Sequence, residues 1–491
     1  MNFKDLTKTK TYCNPLNLPD CPRGTDPPHV MDFTGETVPD YRSVSDPSVL
    51  YEKGKWYLYP SYGMAWVSEN FVTWKHVRTS PYNMKYSPVV VPFRGRHLMT
   101  SHSNGLYESD SPLGDFNFLG DFILPNGEPF TPIDPALFVD DDGRLYMYGF
   151  FFGDETRRCV IPTGTYGVEL DPDDPRRLLT HPVTLFTFNG DHEWERFGEN
   201  RQDTLSGWIE GQWMLKKNGR YYLIYATSGT EYSSYCMAAY YSDKGPLEGF
   251  KVQKNNPITE SRTGLIRGAG HGCVVEGPGD TLWAFYTISL GYAHLYERRI
   301  GMDLIAIDEN GELYAPHGVT TTPQFGPGVS PDPVKNNSPG LLPLTTRQRA
   351  MCRATSHTEG HEGFFALDDS MLTFWQPKKS DLHPSLTVNL QAPYRVEAAR
   401  LILREIGLDY ASGKVPGPVK YTIEGLQKSD SDEWIMLLDR RDNILDKNCD
   451  YNTFPPVTCE CVRLTIYGAP DGIGVGVIDF TAFGKRDETV F

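Results

Sequence analysis

One hairpin pattern recurs five times along the chain and limits its fold more than any other feature. Each copy has a polar residue, a short apolar run, a glycine-containing turn and an aromatic-rich strand. The copies begin at Asp46, Ser87, Asp134, Glu210 and His271, so their starts lie 41, 47, 76 and 61 residues apart. A unit repeated at such spacing is typical of a β-propeller with one four-stranded blade per repeat. The repeat therefore predicts a five-bladed β-propeller, with an irregular all-β sandwich as the alternative.

The repeat also predicts where three carboxyl groups lie. The first strand of every blade is nearest the propeller axis, so residues at one repeat position emerge at the same end of the central channel. Asp46, Asp134 and Glu210 hold that position in the first, third and fourth copies. We therefore expect these carboxyl groups to face one another across a funnel.

The composition narrows the classes of partner and the compartment. A net charge of -16 argues against nucleic acid and weakly favours neutral over acidic glycans. No apolar run is long enough to span a bilayer, so no membrane partner is expected. The opening MNFKDLTKTK lacks a signal-peptide core, and nine cysteines show no metal-ligand spacing. These features favour a cytoplasmic protein, or a secreted one if a signal was removed.

The character of the sequence changes after Tyr314. Residues 315–348 are rich in Pro, Gly, Ser and Thr, which is typical of a linker or an extended strap. Strand-like segments such as SLTVNL and CVRLTIYG return beyond it. We expect a propeller over residues 1–314, a linker over 315–348 and a β-sandwich over 349–491.

Residues from about 12 to 314 resemble glycoside hydrolase family 43. The resemblance rests on Asp-Pro at Asp46 and at Asp134, WIEGQWM around Glu210, GAGHG around His271 and ERRIGMDLIAIDENGEL near residue 312. It implies an inverting hydrolase in which Asp46 is the general base, Glu210 the general acid and Asp134 a pKa modulator and orienter. One departure is Tyr86-Ser87-Pro88, where many members carry Trp-Ala-Pro, and it leaves the details of the sugar pocket open.

The C-terminal part resembles discoidin-type, or coagulation factor 5/8 type C, sandwiches. ATSHTEGHEGFFALDDSMLTFWQ carries the resemblance, with Asp368, Thr373 and Trp375 in the expected order. Such modules often bind sugars, and many hold a structural calcium ion. The resemblance therefore implies a carbohydrate-binding module, without showing binding.

The residue types suit the chemistry that the resemblance implies. Inverting hydrolysis needs one ionised carboxylate to activate water and one protonated carboxyl to protonate the leaving oxygen. Glu210 lies between Trp208 and Trp213, where burial and nearby negative charge raise a carboxyl pKa. Asp46 and Asp134 each precede a proline, so the alternative for both is a turn-capping role.

Five further residues are candidates for the site. His271 lies in a glycine-rich stretch and is interpreted as a ligand for calcium or an ordered water, or as an ordinary hydrogen-bonded histidine. Arg298 is a candidate partner for an acidic group or a sugar hydroxyl, with a plain surface ion pair as the alternative. Trp66, Trp208 and Phe150 are candidate stacking faces for a sugar, with core packing as the alternative.

These observations together predict a glycosidase. We expect exo action on neutral pentosides or furanosides in oligosaccharides or polysaccharides of plant type. The resemblance implies α-L-arabinofuranosidase or β-xylosidase activity, with galactosidase and galactofuranosidase activity also open. The chemistry needs no cofactor, although structural calcium is expected as an option. The alternative is a catalytically inactive sugar-binding protein.

Overall fold

The computed structural model describes residues 10–24, 40–61, 63–80, 84–152, 162–289 and 296–487. Residues 1–9, which belong to the segment behind the localisation prediction, lie outside these ranges. In the described ranges the helices are 3₁₀ turns of three or four residues, none able to cross a membrane. They span Glu193–Glu195, Arg349–Met351, Gly363–Ala366 and Tyr410–Ser412.

The chain up to residue 325 is built from short antiparallel strands. They are β1 (Thr11–Tyr12), β2 (Ser48–Glu52), β3 (Lys55–Tyr59), β4 (Met64–Ser68), β5 (Lys75–Arg78), β6 (Val89–Phe93), β7 (Arg96–Thr100), β8 (Leu106–Ser109), β9 (Asn117–Gly120), β10 (Phe122–Ile123), β11 (Pro129–Phe130), β12 (Ala136–Val139), β13 (Leu145–Phe152), β14 (Pro162–Leu170), β15 (Val183–Thr187), β16 (Arg196–Phe197), β17 (Asp203–Gly207), β18 (Ile209–Lys217), β19 (Arg220–Thr227), β20 (Cys236–Ser242), β21 (Lys251–Val252), β22 (Gly270–Gly277), β23 (Thr281–Ser289), β24 (Arg298–Ile307), β25 (Leu313–Tyr314) and β26 (Gln324–Phe325).

Five four-stranded sheets form the blades of a propeller. They consist of β2–β5, β6–β9, β12–β15, β18–β21 and β22–β25, each with its strands in sequence order. The first strand of each blade contacts the first strand of the next, and β22 contacts β2, so the ring is closed. The all-β, five-bladed propeller predicted from the repeat is therefore confirmed, and the irregular sandwich is wrong for this part of the chain.

Aromatic packing closes the ring between the first and fifth blades. In the residues that the structure describes, each of these two blades consists of four consecutive strands and shares none with the other. Phe71 of the first blade lies 5.1 Å from Phe285 and 6.1 Å from Trp283 of the fifth, measured between ring centroids. Tyr12 of the N-terminal segment meets Trp283 edge to face at 6.2 Å. The buried area of these rings is what holds the seam together.

The C-terminal part forms a second all-β unit with a core of its own. Its strands are β27 (Leu342–Pro343), β28 (Cys352–Ala354), β29 (Ser385–Ile406), β30 (Lys420–Leu426), β31 (Trp434–Asp439), β32 (Cys449–Gly468) and β33 (Gly474–Arg486). The sheet order is β27-β33-β29-β32-β30-β31, with β28 on β29. The register shifts between Asn389 and Tyr394, and again between Val396 and Ala398, so the long β29 bends. This unit agrees with the expected β-sandwich.

The N-terminal segment ties residues of the expected linker to the propeller. β1 pairs with β26, and Asn14 donates to the backbone oxygens of Met302 and Thr320 at 3.0 and 3.1 Å. Asp303 accepts hydrogen bonds from Thr320 and Tyr286, both at 2.5 Å. Burial raises the pKa of Asp303 to about 7 although its hydrogen bonds oppose that change.

Buried ion pairs join the propeller to the C-terminal sheet. Arg42 is 0% exposed and pairs with Glu405 at 2.5 Å and with Asp446 at 2.6 Å. Arg400 pairs with Asp479 at 2.8 Å and donates to the backbone oxygen of Asn14 at 3.0 Å. The pairs of Arg42 cross between the two units, whereas Arg400 and Asp479 lie on the same sheet and Arg400 reaches the N-terminal segment through Asn14. Because these charges are buried, each depends on its partner.

We predict that Arg42→Leu lowers the free energy of unfolding by about 3 kcal/mol, because it leaves two acidic groups unpaired at a buried contact. The matched control is Arg94→Leu, whose side chain is 55% exposed and pairs with an 87% exposed Asp173. Exposed pairs contribute little, so this control should change stability much less. Chemical denaturation of both variants is the measurement, and equal losses would contradict the role given to Arg42.

Candidate active site

A backbone kink recurs where each inner strand begins. The kink residue has a positive φ, which non-glycine residues rarely adopt. The five kink residues are Asp46 (φ 52°), Ser87 (φ 53°), Asp134 (φ 41°), Gly211 (φ 59°) and His271 (φ 31°). Strained backbone of this kind clusters at functional sites. The kinks therefore mark one level of the channel at which all five blades turn toward the axis.

The fourth blade departs from the alignment expected from sequence. Glu210 was expected at the same position as Asp46 and Asp134, but Gly211 has the kink and Glu210 precedes it. The β-ladder shifts register between Glu210 and Trp213, which is a bulge. A Cβ on Gly211 would lie 2.5 Å from the ring of His271, so only glycine fits there. Asp46 and Asp134 are themselves the kink residues, whereas Glu210 is placed at the site by the bulge that follows it.

Two cavities that share Trp213 as a lining residue lie along the inner strands. Asp46, Asp134 and His271 line a cavity of about 20 Å³, which is room for one water molecule. Trp213 also lines this cavity, and its indole N–H donates to the backbone oxygen of Val274 at 2.9 Å. A larger cavity of about 390 Å³ lies on the other side of Trp213, at the opposite end of the inner strands. Asp46 and Asp134 therefore lie at the same end of the inner strands, away from the larger cavity.

Asp46 is held in its ionised form. It is 5% exposed, and its Oδ2 accepts hydrogen bonds from Ser61 at 2.7 Å and from Ser45 at 2.8 Å. Arg298 Nη1 and His271 Nδ1 lie 3.3 and 3.5 Å from its Oδ1. Burial by itself raises the pKa of Asp46, but these four neighbours outweigh it and lower the pKa below its ordinary value.

Glu210 is held in its protonated form. It is 8% exposed, and Tyr235 donates its hydroxyl hydrogen to Oε1 at 2.6 Å. Burial, and then the charge of Asp134, raise the pKa of Glu210 to about 8, and Asp46 adds to this change. The Tyr235 hydroxyl and the nearby indole N–H of Trp208 oppose it. Two carboxyl groups of one site thus have opposite protonation states at neutral pH.

Asp134 has a partner that the sequence reasoning missed. Its Oδ1 lies 2.7 Å from Nδ1 of His102, whose side chain is 31% exposed. Burial lowers the pKa of His102, but Asp134 and Glu210 outweigh it together and raise the pKa above its ordinary value, against Lys85. The only signal for His102 in the sequence is its position just after the second strand of the second repeat.

His271 has protein partners on both ring nitrogens. Nε2 lies 2.6 Å from the hydroxyl of Ser87, and Nδ1 faces Asp46. Among the residues that the structure describes, no three His, Cys, Asp or Glu side chains are grouped to hold a metal ion. The small cavity beside His271 has room for one ordered water, and calcium coordination by His271 stays a prediction.

The aromatic candidates have different outcomes. Trp66 is 0% exposed inside the core, and its indole N–H donates to the backbone oxygen of Pro19 at 2.7 Å, so the stacking role predicted for it is wrong. Phe150 is 4% exposed and packs edge to face on Phe152 at 5.6 Å, which leaves little free ring surface. Trp208 is half-buried beside the site and stays a candidate. Core packing decided the first two cases.

The remaining residues of the site could not be found from motifs. Tyr235 and Ser61 follow the second strands of the fourth and first blades, and they reach the carboxyl groups of Glu210 and Asp46. Arg298 was expected to pair with an acidic group, and it contacts Asp46. The contact of Arg298 with Asp46 crosses from the fifth blade to the first, so it depends on how the ring closes, whereas Tyr235 and Ser61 act within their own blades.

Comparisons with known proteins agree with this geometry. The family model for glycosyl hydrolases family 43 matches residues 41–313. A xylan 1,3-β-xylosidase of a Vibrio species is 30% identical over 187 residues, which are 37% of this chain and 28% of that protein. A β-D-galactofuranosidase of Aspergillus niger is 26% identical over 262 residues, 45% of this chain and 68% of that protein. The chain therefore matches under a third of the length of the Vibrio protein.

A solved structure shows the same fold. The crystal structure of a thermostable family-43 glycoside hydrolase matches with a TM-score of 0.50 and 24% identity, and covers 65% of this chain and 100% of that one. At this identity the match concerns the fold alone. The family model, in contrast, covers more than half of this sequence, including all five kink residues and Glu210. The chain belongs to family 43 of the glycosyl hydrolases.

Proposed function

We propose that this protein is an inverting, exo-acting glycoside hydrolase that uses Asp46 as general base and Glu210 as general acid. The observation that carries the proposal is their opposite protonation: the pKa of Asp46 is lowered, whereas that of Glu210 is raised to about 8. A protein that only binds sugar has no need of such a pair. The pair matches what inverting hydrolysis requires of two carboxyl groups.

The reaction follows from these protonation states. Asp46 accepts a proton from a water molecule as the water oxygen attacks the anomeric carbon. Glu210 donates its proton to the glycosidic oxygen as the carbon–oxygen bond breaks. Inverting enzymes separate the two carboxyl groups by roughly 6.5–9.5 Å to admit this water. The two residues lie on the first and fourth blades, so the channel lies between them.

Asp134 and Arg298 support these two roles. Asp134 raises the pKa of Glu210 by its charge and so keeps the acid protonated. Arg298 lies against Asp46 and lowers its pKa, so the base stays ionised although it is buried. A bound sugar would also meet polar groups on Arg298 and on Trp208. Electrostatic preparation of this kind is a large part of enzymatic rate enhancement.

The substrate class is proposed from the relatives. Their names include a xylan 1,3-β-xylosidase, a β-D-galactofuranosidase and a xylosidase/arabinosidase of Humicola insolens. These sugars are neutral pentosides and a furanoside, which suits a chain with a net charge of -16. We therefore propose neutral pentosides or furanosides at chain ends as substrates, with arabinofuranose and xylose as the first candidates.

We also propose that the C-terminal unit is a discoidin-like module that binds glycan. Thr373 donates to Asp368 at 2.7 Å, and Trp375 is 0% exposed and donates to the backbone oxygen of Ser356 at 2.9 Å. These contacts support a structural role for the residues that carry the resemblance. Binding itself would use other, exposed side chains of this unit, and a structural calcium ion stays a proposal.

We predict that Glu210→Gln lowers kcat for the hydrolysis of natural oligosaccharides roughly 10²–10⁴-fold. Activated aryl glycosides need less protonation of the leaving group, so they should lose less. Release of 4-nitrophenol from a panel of aryl pentosides and furanosides measures this and identifies the sugar. The matched control is Glu276→Gln, a 56% exposed carboxylate near the far end of the fifth blade's inner strand. Near-normal activity of Glu210→Gln on an oligosaccharide would refute the acid assignment.

The pH profile of kcat/KM should follow the two carboxyl groups. Activity should fall as pH rises through about 8, where Glu210 loses the proton that it must donate. It should also fall at low pH, below the ordinary value of 3.8 for aspartate, where Asp46 becomes protonated. Asp134→Asn should move the alkaline limb to lower pH because it removes a charge that holds the proton on Glu210. An unchanged alkaline limb in that variant would contradict the modulating role.

The stereochemical prediction is inversion at the anomeric carbon. With base and acid on separate blades, water attacks from the side opposite the leaving group and no covalent intermediate forms. Proton NMR of the first-formed sugar, recorded before mutarotation, distinguishes the two anomers. A retained configuration would indicate a glycosyl-enzyme intermediate and would exclude the general-base role of Asp46.

A further inference from the structure

His102 occupies a defined position on the wall of the site. It follows β7 of the second blade and faces Asp134 of the third, with 2.7 Å between Nδ1 and Oδ1. An ionised carboxylate only accepts hydrogen bonds, so Nδ1 carries the hydrogen that is shared with Asp134. The neutral tautomer of His102 is therefore the Nδ1–H form.

The three carboxyl groups are restrained very unequally. Asp46 receives two hydroxyl hydrogen bonds and faces Arg298, and Glu210 receives a tyrosine hydroxyl. Within the described part of the chain, the hydrogen bond from His102 is the one that the carboxylate of Asp134 receives. While Glu210 is protonated it repels Asp134 only weakly, and the repulsion grows once Glu210 loses its proton, because the charge of Asp134 acts on Glu210. One contact therefore opposes this repulsion.

The surroundings of His102 suit a fixed support. The ring of Tyr86 packs edge to face on it at 5.9 Å. The charged groups that act on it are Asp134, Glu210 and Lys85, on three different segments. Tyr86 belongs to Tyr86-Ser87-Pro88, the segment that departs from the family pattern. The contact between Tyr86 and His102 therefore lies beside Asp134 and involves the segment that differs from the family pattern.

We propose that His102 is a positioning residue for the hydrolysis: its Nδ1–H bond holds the carboxylate of Asp134 in the orientation from which it acts on Glu210. The inference rests on the proposed function and adds a residue to it. When Glu210 gives its proton to the leaving group, it becomes a carboxylate and repels Asp134 more strongly. The bond to His102 holds Asp134 in place through that step. Without it, Asp134 turns away and Glu210 loses part of the field that keeps it protonated.

Two substitutions distinguish the loss of the hydrogen bond to Asp134 from the loss of the imidazole ring. The amide nitrogen of asparagine reaches approximately where Nδ1 of histidine lies, so His102→Asn keeps the donor to Asp134. His102→Leu removes it, and we expect kcat to fall roughly 10- to 100-fold, as for a misplaced group at a reacting centre. In His102→Leu the alkaline limb of kcat/KM should move to lower pH, as in Asp134→Asn, with KM changed less than about threefold. His102→Asn, in contrast, should keep most of the wild-type kcat and leave the alkaline limb of kcat/KM near its wild-type pH.

The double variant His102→Leu/Asp134→Asn adds an independent check. If His102 acts through Asp134, the double variant should be no slower than Asp134→Asn alone. Losses that multiply would overturn the proposal, and so would an asparagine variant as slow as the leucine variant. A rise in KM alone would show that His102 contacts the sugar and does not position Asp134. If His102→Leu does not fold, as judged by thermal unfolding, His102→Gln replaces it, because its amide reaches the position of Nε2 instead.

NMR titration of the imidazole in the full chain tests the contact without using activity. The pKa of His102 should lie above 6.5 in the wild type and should fall in Asp134→Asn. If that fall is seen but no aryl glycoside is hydrolysed, the proposed function fails and the contact stands. If the wild type hydrolyses a glycoside but His102 does not respond to Asp134→Asn, the proposed function stands and this inference fails.

Discussion

The site depends on the interaction between its buried carboxyl groups: burial and the charge of Asp134 raise the pKa of Glu210 to about 8, whereas the pKa of Asp46 is lowered. Desolvation and mutual repulsion both favour protonation of a carboxyl group, and the neighbours of each group decide which one keeps its proton. An arginine and two hydroxyls surround Asp46, whereas Glu210 has one tyrosine hydroxyl and the charge of Asp134 nearby. The proton therefore rests on Glu210. The roles of base and acid follow from this unequal distribution of partners.

The site exists because the ring closes. The carboxyl groups of Asp46 and Glu210 belong to the first and fourth blades, which are far apart in sequence. Aromatic packing between the first and fifth blades closes the ring. The C-terminal sheet adds to this arrangement through Arg42 and Arg400, which are buried against partners on the other unit. The same contacts keep the N-terminal segment between the two units. Stability and the geometry of the site thus depend on the same closure.

The kinked backbone converts a ring of strands into a site. An ordinary strand would alternate its side chains between the two faces of its blade. A positive φ where each inner strand begins turns the chain toward the axis, and in the fourth blade a bulge does the same for Glu210. Gly211 leaves room for the His271 ring. The same backbone conformation therefore places the side chains of the different blades at one level of the channel.

Most of the architecture could be read from the sequence because the hairpin repeat is local. Alternating apolar residues and glycine turns encode each blade, and the order of Asp46, Asp134 and Glu210 within the repeats was enough to expect three carboxyl groups together. The tertiary structure decided what lies between the blades. It moved Trp66 into the core, placed Gly211 at the kink where Glu210 was expected, and brought His102 of the second blade to Asp134 of the third. A repeat specifies contacts within one blade, but a bulge or a contact between blades depends on how the finished surfaces fit, and no local pattern records that fit.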